Sequence, residues 1–259
     1  MSANIPGLLS RILAQKHAEL PALRAQKLPD SPGPRPFSLR RAAGNLQLIA
    51  EIKFRSPSAG ALSTALSVSE RARAYQRGGA SMISVLCDTS FFDGGFAHLA
   101  EARAACEVPL LCKEFVIDEC QLDAAVAYGA DAVLLIVRCL TEQRLRELTR
   151  AARERKLEPF VEVMTDEESQ MAVDAGASLI GVNARDLDAL VMDATRAARV
   201  LAALPPSATR VRLSGIAQPE DVERVAASPA DAALIGETLM REDQPEARLR
   251  ALVAAARGQ

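Results

Sequence analysis

The chain of 259 residues is 49% apolar and 25% charged, and its formal net charge is -2. These proportions exclude a disordered chain, and no block of basic residues builds the field that a nucleic-acid backbone requires. Nowhere do about 18 apolar residues run together as a membrane span would need.

The first residues, Met1 to Pro6, carry no basic region followed by an apolar core and a cleavage site, so a cytoplasmic protein is expected. Residues 5–26 place apolar side chains at helical spacing, and a stretch with four prolines between Pro29 and Pro36 then breaks the pattern. An N-terminal helical extension and stiff linker over residues 1–45 is therefore expected, followed by one domain over 46–259. From Gln47 onward, short runs rich in Val, Ile and Leu alternate with amphipathic stretches, the pattern of a parallel sheet with crossover helices.

A weak repeat counts the strands. Runs beginning at Gly79, Gly129 and Gly176 resemble one another, a fourth begins at Pro229, and the copies lie about 50 residues apart. That is twice a strand-helix unit. Intervening strands fall at 109–113, 158–163 and 210–213, and residues 46–53 supply the first, giving eight. Thr165 to Glu168 fits a capping box, Asp118 to Gln121 its looser form, and Pro219 suits a first helical turn. No GxGxxG follows residues 46–53, which disfavours an open dinucleotide-binding sheet. An α/β fold of the (βα)8 TIM-barrel type is the economical reading.

Charged residues stand where the apolar runs end: Glu51 and Lys53 after strand one, Lys113 after strand three, Glu162 in strand five. A charge in such a run costs several kcal/mol to desolvate unless paired or facing a wet cavity. Barrel enzymes keep their active site at the C-terminal strand ends, and residues two apart, such as Glu51 and Lys53, share a strand face. Ser214-Gly215-Ile216 after strand seven and Gly236-Glu237-Thr238 after strand eight form a pair of glycine turns suited to a phosphate group. Ser56 and Ser58 could add hydroxyl donors. Phe54, Phe91, Phe92 and Phe115 all lie just beyond strand ends, which suggests an apolar wall for a flat substrate, with core packing beneath the loops as the alternative.

Five cysteines (Cys87, Cys106, Cys112, Cys120, Cys139) make an odd set without a CxxC pair, read as reduced and mostly buried thiols. His17 and His98 lie apart from any cluster, so no metal site is expected.

The chain resembles the indole-3-glycerol-phosphate synthases of tryptophan biosynthesis along nearly its whole length. The motifs are Ile49-Ala50-Glu51-Ile52-Lys53 with Ser56-Pro57-Ser58, Leu111 to Asp118, Val161-Glu162-Val163, and Gly181-Val182-Asn183-Ala184-Arg185-Asp186-Leu187. The resemblance implies a decarboxylating, dehydrating ring closure of a carboxyphenylamino-deoxyribulose 5-phosphate, without metal or organic cofactor. It implies Lys113 as the general acid toward the ketone and Glu162 as the proton carrier in dehydration. Lys53 would hold the substrate carboxylate, with Glu51 and Asn183 ordering the polar network. Ser56, Ser214, Gly215, Gly236 and Glu237 would grip the phosphate. Phe92, Phe115, Leu134 and Leu187 would form the apolar walls, and Arg185 joins the substrate-binding set. A lysine desolvated among such walls is expected to give up its proton more readily than one in water.

One position departs from the family pattern: Leu213 stands before Ser214 where a glutamate is usual. The site loses a carboxylate and becomes more positive. Retained synthase activity is the reading kept, beside a catalytically weakened barrel that binds a phosphorylated ligand, and a phosphosugar isomerase such as phosphoribosylanthranilate isomerase. Contact with other enzymes of the pathway is left open.

Overall fold

The computed structural model describes residues 7–186 and 188–258. Eight parallel strands close into a barrel. They are β1 (Gln47–Ile52), β2 (Met82–Leu86), β3 (Leu110–Lys113), β4 (Ala132–Ile136), β5 (Glu158–Val163), β6 (Leu179–Asn183), β7 (Thr209–Leu213) and β8 (Ala232–Ile235). Each strand pairs with its sequence neighbours, and β1 closes the ring on β8 in the register Gln47↔Ala232 to Ala50↔Ile235. The eight strands match the sequence expectation.

Strand parity sorts the side chains into two cores. Leu48, Ala50, Ile52, Cys112, Val161 and Val182 face outward into the layer shared with the helices. Ile49, Leu111, Phe160, Val211 and Leu213 face the barrel interior, with Met82, Leu134 and Leu234 beside them. Because successive strand residues alternate faces, the inward parity of Ile49 carries to Glu51, that of Leu111 to Lys113, and that of Phe160 to Glu162. Near the base the interior is apolar; toward the C-terminal mouth the same parity delivers charges. Gly181 holds an inward position because a Cβ there would lie 2.5 Å from Phe160 Cε1 and 2.8 Å from Leu213 Cδ1.

The repeat has a structural cause. Gly79, Gly129 and Gly176 end their helices with φ of +92°, +90° and +81°, a left-handed turn that suits glycine. The third residue of each copy ties its strand to the start of the preceding one. Ser81 Oγ donates to Gln47 Oε1 (2.7 Å) and Ser178 Oγ to Glu158 Oε1 (2.6 Å). Asp131 Oδ2 accepts from Leu110 N (2.7 Å), and Asp231 Oδ2 from Arg210 N (2.9 Å).

Helix α1 (Leu8–Ala25) crosses the mouth, and its Leu9 and Ile12 join the interior cluster. The expected start at Ile5 lies outside the described residues. Gly7 offers no capping side chain; instead Asp188 Oδ1 accepts from Leu9 N at 2.9 Å, across 179 residues of sequence. The linker then descends past Asp131, which takes the Arg35 amide, and Asp231, which takes that of Arg41, while Leu39 closes the base. The Asp118 capping box forms with Gln121. That of Thr165 forms by half: its side chain takes Glu168 N, but the Glu168 carboxylate turns to Met164 N and Arg138.

Asp131 is a buried carboxylate shared by Leu110 N, Arg35 N and the Arg103 guanidinium, the last at 2.9 Å. Removing it strands these donors, so Asp131→Ala is expected to lower unfolding free energy by about 3 kcal/mol in urea titrations. The site at the opposite end should retain its kinetic constants in the folded fraction.

Candidate active site

A cavity of about 430 Å³ opens at the C-terminal mouth. Its floor is a ladder of alternating charges. Lys53 Nζ lies 2.7 Å from Glu51 Oε1, and Lys113 Nζ lies 3.8 Å from Glu51 Oε2 and 3.6 Å from Glu162 Oε2. Asn183 Nδ2 donates to Glu162 Oε1 at 2.8 Å, and Asn183 Oδ1 accepts from Ser214 Oγ at 2.9 Å. Four strands thus converge on one polar chain, and Ser84 of a fifth donates weakly to Glu51 at 3.5 Å. Gly236 is glycine because a Cβ would sit 2.5 Å from Glu51 Oε1.

Burial pushes the Glu51 carboxyl up, but the Lys53 and Lys113 ammonium groups outweigh it and hold the value below the ordinary carboxylate range. Burial pulls the Lys113 ammonium down, yet the Glu162 and Glu51 carboxylates outweigh it, and the value is raised. This corrects the expectation of a lysine made more acidic by desolvation: apolar walls surround Lys113, but two carboxylates face it. Glu162 Oε2 has no hydrogen-bond partner and is buried, an acceptor left open beside Lys113.

On one side of the ladder Phe92 and Phe115 line the cavity, their ring centroids 5.8 Å apart and tilted by 35°. Leu134 joins them. Phe54 instead packs edge-on against His98 at 5.4 Å, and Phe91 packs against the interior cluster, so two of the four expected mouth rings reach the cavity. On the other side lie Ser56, Ser214, Gly215, Gly236 and Glu237. Ser214 and Gly215 both take positive φ, +64° and +78°, bending the chain after β7 toward the cavity. The Glu237 carboxylate is drawn to Arg241 at 3.0 Å. Arg185 also lines the cavity and bonds Ser58 Oγ, linking the loops after β6 and β1. Leu187 lies outside the described residues.

Sequence reasoning missed Leu8 and Ile12, which α1 brings to the cavity, and Arg241. The apolar helical stripe of residues 5–26 and the Glu237–Arg241 spacing of four were the available signals. Among the described residues no group of three His, Cys, Asp or Glu is placed to hold a metal ion, and no helix is long and apolar enough to cross a membrane.

A closed parallel barrel with charged side chains at its C-terminal mouth and glycine turns after strands seven and eight defines a (βα)8-barrel enzyme. Solved structures with this fold include 3-hexulose-6-phosphate synthase from Salmonella typhimurium (TM-score 0.66, 15% identity, 82% of this chain and 99% of that one). Thiamine phosphate pyrophosphorylase from Pyrococcus furiosus is another (TM-score 0.63, 16% identity, 84% and 98%). A profile of the indole-3-glycerol phosphate synthase family matches residues 9–252. Indole-3-glycerol phosphate synthase 2 of Streptomyces coelicolor is 40% identical over 255 residues, covering 95% of this chain and 99% of its own. The corresponding synthase of an Arthrobacter species is 43% identical over 210 residues, covering 81% and 77%. The chain belongs to the indole-3-glycerol phosphate synthase family.

Two shifted groups of the ladder contribute to a pH dependence of stability. Glu51, depressed when folded, contributes stability above its unfolded value of about 4.3 that is lost as pH falls through its folded value. Lys113, raised when folded, contributes stability below about pH 10.4 that is lost as pH rises through its folded value. Urea unfolding from pH 3 to 11, on wild type, Glu51→Gln and Lys113→Met, should show each variant losing its own limb (range of about 4.3 to 10.4 from the reference values).

Proposed function

We propose that the chain closes the indole ring of 1-(2-carboxyphenylamino)-1-deoxy-D-ribulose 5-phosphate, releasing carbon dioxide and water to give indole-3-glycerol phosphate. The observation that carries this is Lys113 held between Glu51 and Glu162 on a cavity floor, with aromatic rings on one side and glycine turns on the other. The phosphate would lie against Ser56, Ser214, Gly215 and the turn at Gly236 and Glu237. The ring would lie against Phe92, Phe115 and Leu134, with Leu187 assigned there by the resemblance alone, and Lys53 would pair the ring carboxylate.

In that pose the ring carbon bearing the carboxylate attacks the ketone carbon, and Lys113 gives its proton to the ketone oxygen. Loss of carbon dioxide returns the bond electrons to the ring. The nitrogen lone pair then expels the new hydroxyl, Glu162 takes a proton from the neighbouring methylene at its open Oε2, and that proton passes to the departing hydroxide to complete the water. Glu51 and Asn183 keep Lys53, Lys113 and Glu162 in register. Proximity of ring and ketone, rather than a strongly acidic lysine, supplies most of the advantage, because Lys113 stays charged.

The proposal includes the division into an extension over residues 1–45 and a barrel over 46–259, supported by the change from helix and linker to strand-helix alternation. A cytoplasmic setting is proposed too, favoured by unpaired cysteines, three of them buried. The family match sets aside the phosphosugar-isomerase alternative. Leu213 alone favours a second reading, a barrel that binds the phosphorylated ligand without turnover: it lies on the cavity, 1% exposed, where it adds no charge to the ladder.

Following indole absorbance separates the two. Lys113→Ala should lower kcat by about 10³-fold, and wild type no faster than that variant, with calorimetric heat on adding substrate, would establish the binder. Leu213→Glu should cost about 2 kcal/mol of stability for a carboxyl desolvated beside Phe160. Its kcat should not rise if Glu51 and Glu162 suffice; a large gain would show that the missing carboxylate limits turnover.

A further inference from the structure

The most deeply buried ammonium of the mouth stands outside the charge ladder. Lys16 of α1 is 2% exposed, against 16% for Lys53 and 18% for Lys113. Its Nζ lies 2.7 Å from Asp88 Oδ2, 3.1 Å from Glu114 Oε1 and 2.8 Å from Glu19 Oε2. Asp88 and Glu114 each have a second task. Asp88 Oδ1 accepts from Phe91 N at 2.7 Å and starts the helical turn Thr89–Phe92. Glu114 Oε1 accepts from Phe115 N at 2.6 Å. One ammonium therefore joins the turn that carries Phe92, the segment that carries Phe115, and the helix that brings Leu8 and Ile12 to the same cavity.

Docking α1 does not by itself call for this arrangement. Asp188 already holds Leu9 N at one end of the helix and Asp118 pairs with Arg24 at the other, and an apolar side chain can replace a buried ion pair without loss of stability. An apolar residue could not aim two carboxylates. Burial pushes the Glu114 carboxyl up to about 7 even with Lys16 beside it; without that ammonium it would be protonated at neutral pH and free to turn from Phe115 N.

We propose that Lys16 is a positioning residue for the reaction: through Asp88 and Glu114 it sets the spacing and tilt of Phe92 and Phe115, the slot that takes the flat ring of the substrate. This rests on the reading of that pair as the ring's wall. The experiment measures kcat and KM for Lys16→Met, for Phe92→Ala, and for Lys16→Met combined with Asp88→Asn and Glu114→Gln, which leaves no buried charge unpaired. Lys16→Met should lose thermal stability and raise KM about tenfold, the worth of one oriented aromatic contact. The triple variant should recover stability but keep the raised KM, an outcome that a purely structural role does not produce.

KM within twofold of wild type in the folded triple variant overturns the proposal, as does failure of both Lys16 variants to fold, which would make Lys16 a requirement of folding instead. Raised KM in Phe92→Ala with unaltered Lys16 variants overturns the role of Lys16 and leaves the ring wall standing. Unaltered KM in Phe92→Ala overturns the wall itself.

Discussion

The site depends on removing four charges from water without leaving any of them alone. Glu51, Lys53, Lys113 and Glu162 sit at the end of an apolar cylinder, and each isolated charge there would cost several kcal/mol. Alternation of sign resolves this, two ammonium groups against two carboxylates, and strand parity delivers the alternation. The barrel interior accommodates the ladder in detail: Gly236 withholds a Cβ so that Glu51 can lie against it, and Asn183 spends its two polar atoms on Glu162 and Ser214.

The two ends of the barrel use buried carboxylates differently. At the base, Asp131 and Asp231 gather strand starts and the linker into a closed set of hydrogen bonds. At the mouth, Oε2 of Glu162 is buried without a hydrogen-bond partner and faces Lys113 at 3.6 Å. The N-terminal segment touches both ends: its linker is bound to the base while α1 roofs the cavity.

Leu213 keeps the β7 side of the cavity free of charge. With an apolar side chain at the end of β7, the ladder carries equal numbers of cations and anions, and the inward face of β7 is apolar from Val211 to Leu213. Lys113 keeps its proton because of Glu51 and Glu162 rather than any third acid. Glu51 is thereby committed to holding cations, and the proton traffic of the proposed mechanism falls to Lys113 and Glu162.

The eight strands and most of the ladder were legible in the order of residues, since short apolar runs, the two-residue spacing of Glu51 and Lys53 and helix-ending glycines are local signals read over a few positions. The spacing that repeats Ser81, Asp131, Ser178 and Asp231 also showed there, although its purpose did not. Other features depend on distance. Lys16 and Glu114 are 98 residues apart, as Leu9 and Asp188 are 179 apart, and nothing in either neighbourhood announces the partner. The raised value of Lys113 is hidden in the sequence for the same reason: burial can be read from an apolar run, but the number of carboxylates facing a buried lysine is set by strands that meet only when the barrel closes. Sequence alone determined which side chains turn inward at each strand end; tertiary structure decided which of them meet, because closure sets the distances on which electrostatic and ring contacts depend.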